Sequence, residues 1–294
     1  MTPSRLDLTA ILMGIAFVVM WSSAFTSARM IVADAPPLTA LALRFLISGL
    51  IGVGLAAAAG QSARLTAAQW RGAVIFGLCQ NALYLGLYFV AMQRIEAGLA
   101  SILASTMPLI VAVAGWGLYG ERLRPLAWVG LAGGFAGVAL IMGGRFGGAG
   151  GDAFGLALCI AGVSALAFAT LAVRGATSGG NLLMVVGLQM LVGSAALAAA
   201  AALTETLWWN PTPRLFAAFA YTTLVPGLLA TWVWFRLVSR IGAVRAAAFH
   251  FLNPFFGVLI AWALLGEALS WVDVLGVAVV AAGILAVQLA RNRT

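Results

Sequence analysis

The chain has 294 residues, of which 63% are apolar and only 8% are charged. This composition excludes an ordinary water-soluble domain, in which about a quarter of the residues are charged. The 16 arginines outnumber the 8 acidic residues, but they occur singly between apolar stretches, which excludes a nucleic-acid-binding surface and is typical of the ends of membrane-spanning helices.

Apolar stretches of the length that a membrane-spanning helix requires, about 20 residues, follow one another along the whole chain. The connections between them are too short for a folded domain outside the membrane. The predicted spans cover residues 8–28, 37–59, 70–92, 98–119, 125–143, 153–173, 182–203, 214–235, 243–265 and 271–290. We therefore predict an all-α membrane protein of ten transmembrane helices whose function lies within the helical bundle.

An internal repeat relates the two halves, because residues 94–142 align without a gap with residues 240–288. The matched positions include Pro, Trp, Gly and Glu, whereas a chance alignment in this composition would match mostly Ala and Leu. They include Pro108 with Pro254, Trp116 with Trp262, Gly120 with Gly266, Glu121 with Glu267, and Gly130 with Gly276. The predicted domains are two five-helix repeats, 1–145 and 146–294, which are inverted relative to each other because five is odd.

The orientation is predicted from the arginines that flank the spans, because cytoplasmic loops are enriched in them. With ten spans, eleven arginines fall in the loops and termini on one side of the membrane and four in the loops on the other side. Arg44 lies inside the second span. The eleven are Arg5, Arg64, Arg71, Arg122, Arg124, Arg174, Arg236, Arg240, Arg245, Arg291 and Arg293, and the four are Arg29, Arg94, Arg145 and Arg214. Both termini are therefore predicted to be cytoplasmic.

Polar side chains in the middle of a span are costly in lipid and indicate a functional cavity. Asn81, Tyr84 and Tyr88 share one face of the third span, and Ser101 and Ser105 share a face of the fourth with Pro108. The tyrosines and amides can contact both the apolar and the charged parts of an amino acid. The serines have a second interpretation, in which each hydroxyl bonds to its own helix.

Two prolines near the centres of their spans are further candidates, since each removes an amide donor and frees a carbonyl for a ligand. Pro108 lies in the fourth span and Pro254 in the ninth, where Asn253 precedes it and His250 lies one turn before. A kink that serves only helix packing is the alternative for the prolines. His250 either binds substrate, exchanges a proton, or is a satisfied buried imidazole.

Aromatic residues in the spans are candidates for cavity walls that stack on an aromatic substrate. These are Trp21, which precedes Ser22, together with Phe168, Trp232 and Phe249. The alternative is that they are ordinary core or lipid-facing residues.

For the charged residues within or next to the spans we predict structural or gating roles. Arg44 either extends its charge to the interface, bonds neighbouring carbonyls, or anchors an anionic substrate. Glu121 and Glu267 each follow a glycine at a helix end, which favours helix termination or gating over substrate binding.

Glycines in the fifth and tenth spans permit close helix approach, either within a monomer or in a homodimer. Neither cysteine has a metal-ligand pattern, and Ser164 lacks the Gly-x-Ser-x-Gly context of a hydrolase. We therefore predict no cofactor, no metal, no nucleic-acid partner and no enzymatic activity.

Several motifs resemble those of the drug/metabolite transporter superfamily, in particular its EamA-type members with ten helices. They are Trp21-Ser22-Ser23-Ala24-Phe25, Ala42-Leu43-Arg44-Phe45, Pro108-Leu109, Gly120-Glu121-Arg122-Leu123, Asn253-Pro254 and Gly266-Glu267-Ala268-Leu269. Within that superfamily the chain is similar to the YddG-like exporters of aromatic amino acids.

This resemblance implies export of aromatic and other neutral amino acids, with broad specificity, from the cytoplasm across the bacterial inner membrane. Transport would proceed by alternating access through a cavity between the repeats. Efflux of another metabolite or drug, such as a nucleoside or an amphipathic cation, and passive conduction through a channel remain as alternatives. Because the predicted membrane interior holds no acid, we expect facilitated transport rather than proton coupling.

Overall fold

The computed structural model describes residues 7–145, 152–172 and 180–291. Within these ranges ten helices are long and apolar enough to cross a membrane, which confirms the predicted number, and there is no β-strand. We call them spans 1 to 10. They are Leu8–Val32, Pro37–Ala58, Ala67–Ala91, Ala97–Leu118, Pro125–Gly143, Ala153–Ala172, Leu182–Thr204, Pro213–Ile241, Arg245–Leu265 and Trp271–Ala290. Arg5, Arg174, Arg293 and the predicted domain boundary at residue 146 lie outside the described residues.

Proline and glycine mark the ends of several spans, as their backbone preferences require. Pro37 and Pro213 lie in the first turn of spans 2 and 8, where a missing amide proton costs nothing. Gly120 and Gly266 follow spans 4 and 9 with φ angles of 66° and 68°, in the left-handed region that a side chain would disfavour. The chain therefore changes direction directly after spans 4 and 9, and short connections lead to the next spans.

Four spans are not continuous α-helices. Span 3 has a π-helical segment at Gly77–Tyr84, and span 8 has one at Thr223–Leu229 around Pro226. Span 4 is divided between Ala97–Ser105 and Met107–Tyr119. Span 9 consists of Ala243–Ala248, a 3-10 turn at Phe249–Leu252, and Asn253–Leu265. Prolines explain the breaks in spans 4, 8 and 9, because a proline cannot donate to the preceding turn.

The spans pack in pairs around a central axis. Spans 5 and 10 contact each other along their length, and so do spans 2 and 7. Span 1 contacts spans 8 and 9, span 6 contacts spans 3 and 4, and span 4 contacts span 9. We call the end of the bundle at which span 1 begins and span 10 ends the near end, and the opposite one the far end.

Glycines bring the backbones of spans 5 and 10 into direct contact. A Cβ atom at Gly130 would stand 2.7 Å from the carbonyl oxygen of Gly283, and one at Gly137 would stand 3.0 Å from the carbonyl oxygen of Gly276. The glycine faces of these two spans therefore pack against each other within a single chain.

We expect Gly130→Ala to lower the stability of the bundle, because the added methyl group cannot fit between the two backbones. Overpacking of this kind costs about 1–3 kcal/mol, more than the roughly 1 kcal/mol that alanine gains over glycine in helix propensity. Thermal unfolding of the purified protein in detergent measures the loss.

The matched control is Gly133→Ala on the same helix, where an added Cβ meets no atom within 4 Å. This variant should unfold at the wild-type temperature or above it. Equal behaviour of the two variants would contradict the close contact between spans 5 and 10.

Candidate functional site

A continuous cavity runs from the near end to the middle of the bundle. Its outer part has a volume of about 860 Å³ and its inner part, the inner chamber, about 540 Å³. The two parts share side chains from six spans, so they form one space. Among the shared lining residues are Trp21, Tyr84, Met107, Trp234 and His250.

The near-end part of the cavity is lined by charged and polar groups that belong to the ends of spans. Glu121, Arg122 and Arg124 follow span 4, and Gln288 lies in the last turns of span 10. The amide of Gln288 donates to the carbonyl oxygen of Ala247 at 2.9 Å, which connects span 10 to the first segment of span 9. A polar solute that enters from the near end therefore meets hydrophilic groups first.

One wall of the inner chamber is aromatic. The ring of Phe17 lies 5.6 Å from that of Trp21 and 4.8 Å from that of Trp234, between centroids. The imidazole of His250 lies 5.1 Å from Trp234 and 5.2 Å from Phe17 in edge-on arrangements. Spans 1, 8 and 9 thus contribute one cluster of flat, amphipathic rings, which suits an apolar side chain or another ring.

Another part of the chamber wall comes from span 3 and combines phenol rings with amides. Tyr84 and Tyr88 have centroids 4.7 Å apart, and Gln80 and Asn81 lie on the same side of the π-helical segment. The amide nitrogen of Asn81 donates to the backbone carbonyl of Gln189 at 3.0 Å. Span 3 is therefore tied to span 7 at the level of the chamber.

The break in span 9 creates a polar junction beside the cavity. The carbonyl oxygen of Asn253 accepts hydrogen bonds from Ser22 at 3.2 Å and from Ser101 at 3.4 Å. The side-chain amide of Asn253 lies 2.9 Å from Nδ1 of His250. Pro254 lies in the first turn of the helix Asn253–Leu265 and has no amide to donate to the carbonyl oxygen of His250, which explains the break before that helix.

Most of the predicted site residues come together at this cavity. Those that line it are Trp21, Asn81, Tyr84, Tyr88, Ser105, Pro108, His250 and Asn253, with Arg44 and Glu121. Ser22, Ser101 and Pro254 are buried directly behind the wall. Glu267 lies at the far end and does not line the cavity.

Three aromatic predictions need correction, because the structure places these side chains elsewhere. Phe168 is 59% exposed and Trp232 is 56% exposed on the outer surface of the bundle, where lipid would surround them. Phe249 packs against Gly14 and Phe17 of span 1 instead of lining the cavity. The π-helical segment of span 8 has more residues in each turn than an α-helix. The direction in which Trp232 points can therefore not be extrapolated from the first part of the span with the α-helical period.

Trp234, Thr231, Gln189 and Thr170 line the inner chamber, but the sequence did not single them out. Trp234 lies two residues from the predicted Trp232, and only the phase of the helix distinguishes the two. Gln189 gave a signal, because it is a lone amide in an otherwise apolar span.

The far end is held together by carboxylates that bond to the first turns of other spans. Glu267 accepts from the amides of Ala97 at 2.7 Å and Gly98 at 2.9 Å, at the start of span 4. Glu205 accepts from the amides of Leu38 at 2.7 Å and Thr39 at 2.9 Å, at the start of span 2. Negative charge at a helix N-terminus is favourable, since it satisfies unpaired amides.

Apolar packing adds to this closure between the inner chamber and the far end. Ile31, Met92, Ile95 and Leu99 are each 1% exposed. The guanidinium group of Arg29 also donates to the carbonyl oxygen of Met92. The described residues thus close the cavity at the far end and line it with polar groups at the near end.

One ion pair joins spans 1 and 8 at the near end. Arg240 donates to both carboxylate oxygens of Asp7, at 2.7 and 3.1 Å. These hydrogen bonds, followed by that from the amide of Ala10, hold the pKa of Asp7 below its usual value. The carboxylate therefore stays ionised near neutral pH.

The described residues contain no group of three or more His, Cys, Asp or Glu side chains that could hold a metal ion. Ser164 lies on the outer surface, and its hydroxyl donates to the carbonyl oxygen of Ile160 at 2.7 Å. It has no access to the cavity in which His250 lies.

Comparison with known proteins identifies relatives along the whole chain. Residues 8–143 and 153–289 each match the model of the EamA-like transporter family. The uncharacterized inner membrane transporter YedA of Escherichia coli is 27% identical over 94% of this chain and 89% of its own. The uncharacterized transporter YvbV of Bacillus subtilis is 27% identical over 89% and 85%, and protein PecM of Dickeya dadantii is 25% identical over 90% and 86%.

A crystal structure of a protein that is 24% identical has the same fold, with a TM-score of 0.68. The superposition covers 97% of this chain and 98% of the other.

We expect a cysteine at position 170 to react with a small hydrophilic thiol reagent, because Thr170 lines both parts of the cavity. The protein should carry Cys79→Ala as background, since Cys79 is partly exposed while Cys159 is buried. Mass spectrometry of the labelled peptide measures the reaction.

Ala169→Cys is the control, because residue 169 is fully buried next to it on the same helix. It should label at least about tenfold more slowly than Thr170→Cys, since a buried thiol reacts only after a local opening. Comparable labelling at both positions would contradict a water-accessible cavity along span 6.

Proposed function

Because the chain belongs to the EamA-like transporter family, we propose that it exports aromatic and other neutral amino acids from the cytoplasm by alternating access. The protein is a multi-pass transporter of the bacterial inner membrane, and the proposal concerns its substrate, its direction and its mechanism. The observation that carries it is a cavity that is closed at the far end and whose inner chamber, of about 540 Å³, is lined by rings and amides together with Arg44.

The chemistry of the lining supports amino acids as substrates. Pockets for small molecules typically have volumes of about 300–1,000 Å³, with mostly apolar walls and a few polar groups. The rings of Trp21, Phe25 and Trp234 offer surface for an apolar side chain, while Gln80 and Asn81 offer groups for its polar backbone. The absence of acidic side chains from the described lining of the inner chamber disfavours an organic cation as the substrate.

Pairwise relations between the spans support two inverted five-helix repeats, 1–145 and 146–294. Spans 3 and 8 occupy equivalent positions, and both have π-helical segments. Spans 4 and 9 are equivalent, and both are broken before a helix with proline in its first turn. The contact of span 1 with spans 8 and 9 matches that of span 6 with spans 3 and 4. Exchange of the two conformations would open the cavity at the opposite end.

The distribution of arginines supports a cytoplasmic near end. Arg64, Arg71, Arg122, Arg124 and Arg245 belong to near-end segments. On this assignment both termini are cytoplasmic, and the cavity receives its substrate from the cytoplasm. The far end, with the carboxylate bonds of Glu205 and Glu267, would then separate the inner chamber from the periplasm.

The proposal is tested with purified protein in proteoliposomes and a panel of solutes. We expect saturable uptake and counterflow of phenylalanine, tryptophan and leucine, and no transport of nucleosides or quaternary ammonium drugs. Saturable counterflow distinguishes a carrier from a channel. An imposed pH gradient alone should produce no accumulation, because the described inner chamber has no acidic residue.

Vesicles without protein provide the background. If no amino acid is transported while another solute is, the amino-acid assignment is wrong. If uptake is linear and shows no counterflow, the protein is a channel. If amino acids accumulate uphill on a pH gradient alone, transport is coupled to protons.

We expect Glu267→Gln to reduce transport of all substrates by a common factor. The substitution leaves one acceptor oxygen for the two amides of Ala97 and Gly98 and removes the charge, and each such bond contributes about 1.5–3 kcal/mol. A loss of this size shifts a two-state equilibrium about tenfold or more.

Initial rates for phenylalanine and leucine, measured side by side, should keep the wild-type ratio, because Glu267 does not line the cavity. Glu267→Asp keeps the charge and should lose less activity. A change in the phenylalanine-to-leucine ratio would instead place Glu267 in contact with the substrate.

A further inference from the structure

The positive charge of Arg44 lies deep inside the bundle, and none of the described residues that line the inner chamber beside it is acidic. Arg44 is only 7% exposed, and its Nε atom is buried with no hydrogen-bond partner. Its guanidinium carbon lies 5.1 Å from the ring centroid of its neighbour Phe45. Because Arg44 is about 10 Å of helix rise beyond Pro37, the start of span 2, the charge belongs to the interior of the bundle.

The described residues that line the inner chamber with Arg44 include polar side chains but no acidic one. The inner chamber that it lines contains the amides of Gln80, Asn81 and Gln189, and none of the described residues that line it is an aspartate or a glutamate. The acids at the far end are engaged elsewhere, as Glu205 and Glu267 show. An uncompensated buried charge is strongly unfavourable, so an anionic partner would stabilise this arrangement.

The backbone of span 8 approaches the guanidinium group closely at a glycine. Gly227 lies in the π-helical segment, and a Cβ atom at this glycine would stand 3.5 Å from Nη2 of Arg44. Any larger side chain at Gly227 would therefore occupy the space beside the charge. Gly227 and Arg44 both line the inner chamber, and Arg44 is 7% exposed there.

A guanidinium group is well suited to a carboxylate. Its planar fork of donors can bind both carboxylate oxygens, and such charge-assisted hydrogen bonds are about twice as strong as neutral ones. The rings of Trp21 and Phe25 line the same inner chamber. A ligand with a carboxylate and an apolar body would match both features.

We propose that Arg44 binds the carboxylate of the substrate in the inner chamber and thereby selects free acids over their neutral derivatives. The inference rests on the proposed function and narrows it, because it defines the substrate class as small carboxylates or zwitterions with an apolar side chain. Amines without a carboxylate, and nucleosides, lack the group that Arg44 recognises.

Extension of the charge to the membrane interface does not account for this geometry. An arginine that extends in this way places its guanidinium group in water at the end of the span. Arg44 instead lines an interior chamber beside Gly227. A purely structural role of Arg44 is one of the outcomes that the following experiment distinguishes.

The test compares each amino acid with its amide, which keeps the ammonium group and side chain but lacks the carboxylate. Phenylalanine with phenylalaninamide, and leucine with leucinamide, compete for transport into proteoliposomes. We expect the wild type to bind the free acid at least about tenfold more tightly, as the energy of a charge-assisted bond implies. In Arg44→Gln this preference should fall to about twofold or less, because acid affinity is lost while amide affinity stays.

Two further variants control for folding and charge. Arg44→Lys keeps the charge without the two-pronged fork, and should retain a reduced preference for the free acid. Arg71→Gln removes an arginine from an exposed near-end position and should behave as the wild type. If Arg44→Gln does not fold, the wild type and Arg44→Lys still provide the comparison.

Two results would overturn the inference: equal affinity of the wild type for acid and amide, or an unchanged preference in Arg44→Gln. The second result, together with a lowered unfolding temperature, would assign Arg44 a structural role. If the wild type transports no amino acid, the proposed function fails separately. In that case thermal stabilisation of the wild type, but not of Arg44→Gln, by 3-phenylpropionate and not by 3-phenylpropanol still tests whether Arg44 binds carboxylates.

Discussion

A membrane-spanning backbone has to satisfy its own hydrogen bonds, because the hydrocarbon around it offers no partners. Six of the ten spans meet this requirement as continuous helices, and the described irregular segments are confined to spans 3, 4, 8 and 9. All four of these spans contribute to the central cavity. Non-helical backbone at membrane depth is tolerated where it lines a polar space, so the helix breaks and the cavity depend on each other.

The continuous pairs of spans form the frame for that cavity. Spans 5 and 10 meet through Gly130 and Gly283, and spans 2 and 7 meet through Gly52 and Gly187. Both contacts bring backbone against backbone, which van der Waals packing favours in lipid. Two such closely packed pairs leave the broken spans free to differ in conformation. This division suits the proposed alternating access, because a rigid pair need not move while its neighbours rearrange.

The need to satisfy backbone hydrogen bonds also explains where the carboxylates of the far end lie. Carboxylates at the far end bond to amides that a helix cannot satisfy internally, as Glu267 does for span 4 and Glu205 for span 2. These contacts cross between the two halves and can be broken and remade without burying a free charge, since both groups lie near the membrane surface. Arg44 differs from them, because its charge is inside and its proposed partner is the substrate itself.

The sequence by itself determined the number of spans, most of their boundaries and the family, because hydrophobic length and proline, glycine and acidic motifs are local properties. It also predicted that Asn81, Tyr84 and Tyr88 share one face of span 3, and all three line the cavity, although the π-helical segment Gly77–Tyr84 departs from the regular period on which that prediction rested. Only the tertiary structure decided between Trp232 and Trp234, because the π-helical turn in span 8 changes the phase of the helix beyond it. The hydrogen bonds from span 4 to Glu267 likewise join residues far apart in the chain. The surroundings of Arg44 also come from several spans. Such contacts are determined by the packing of the spans and not by the local sequence.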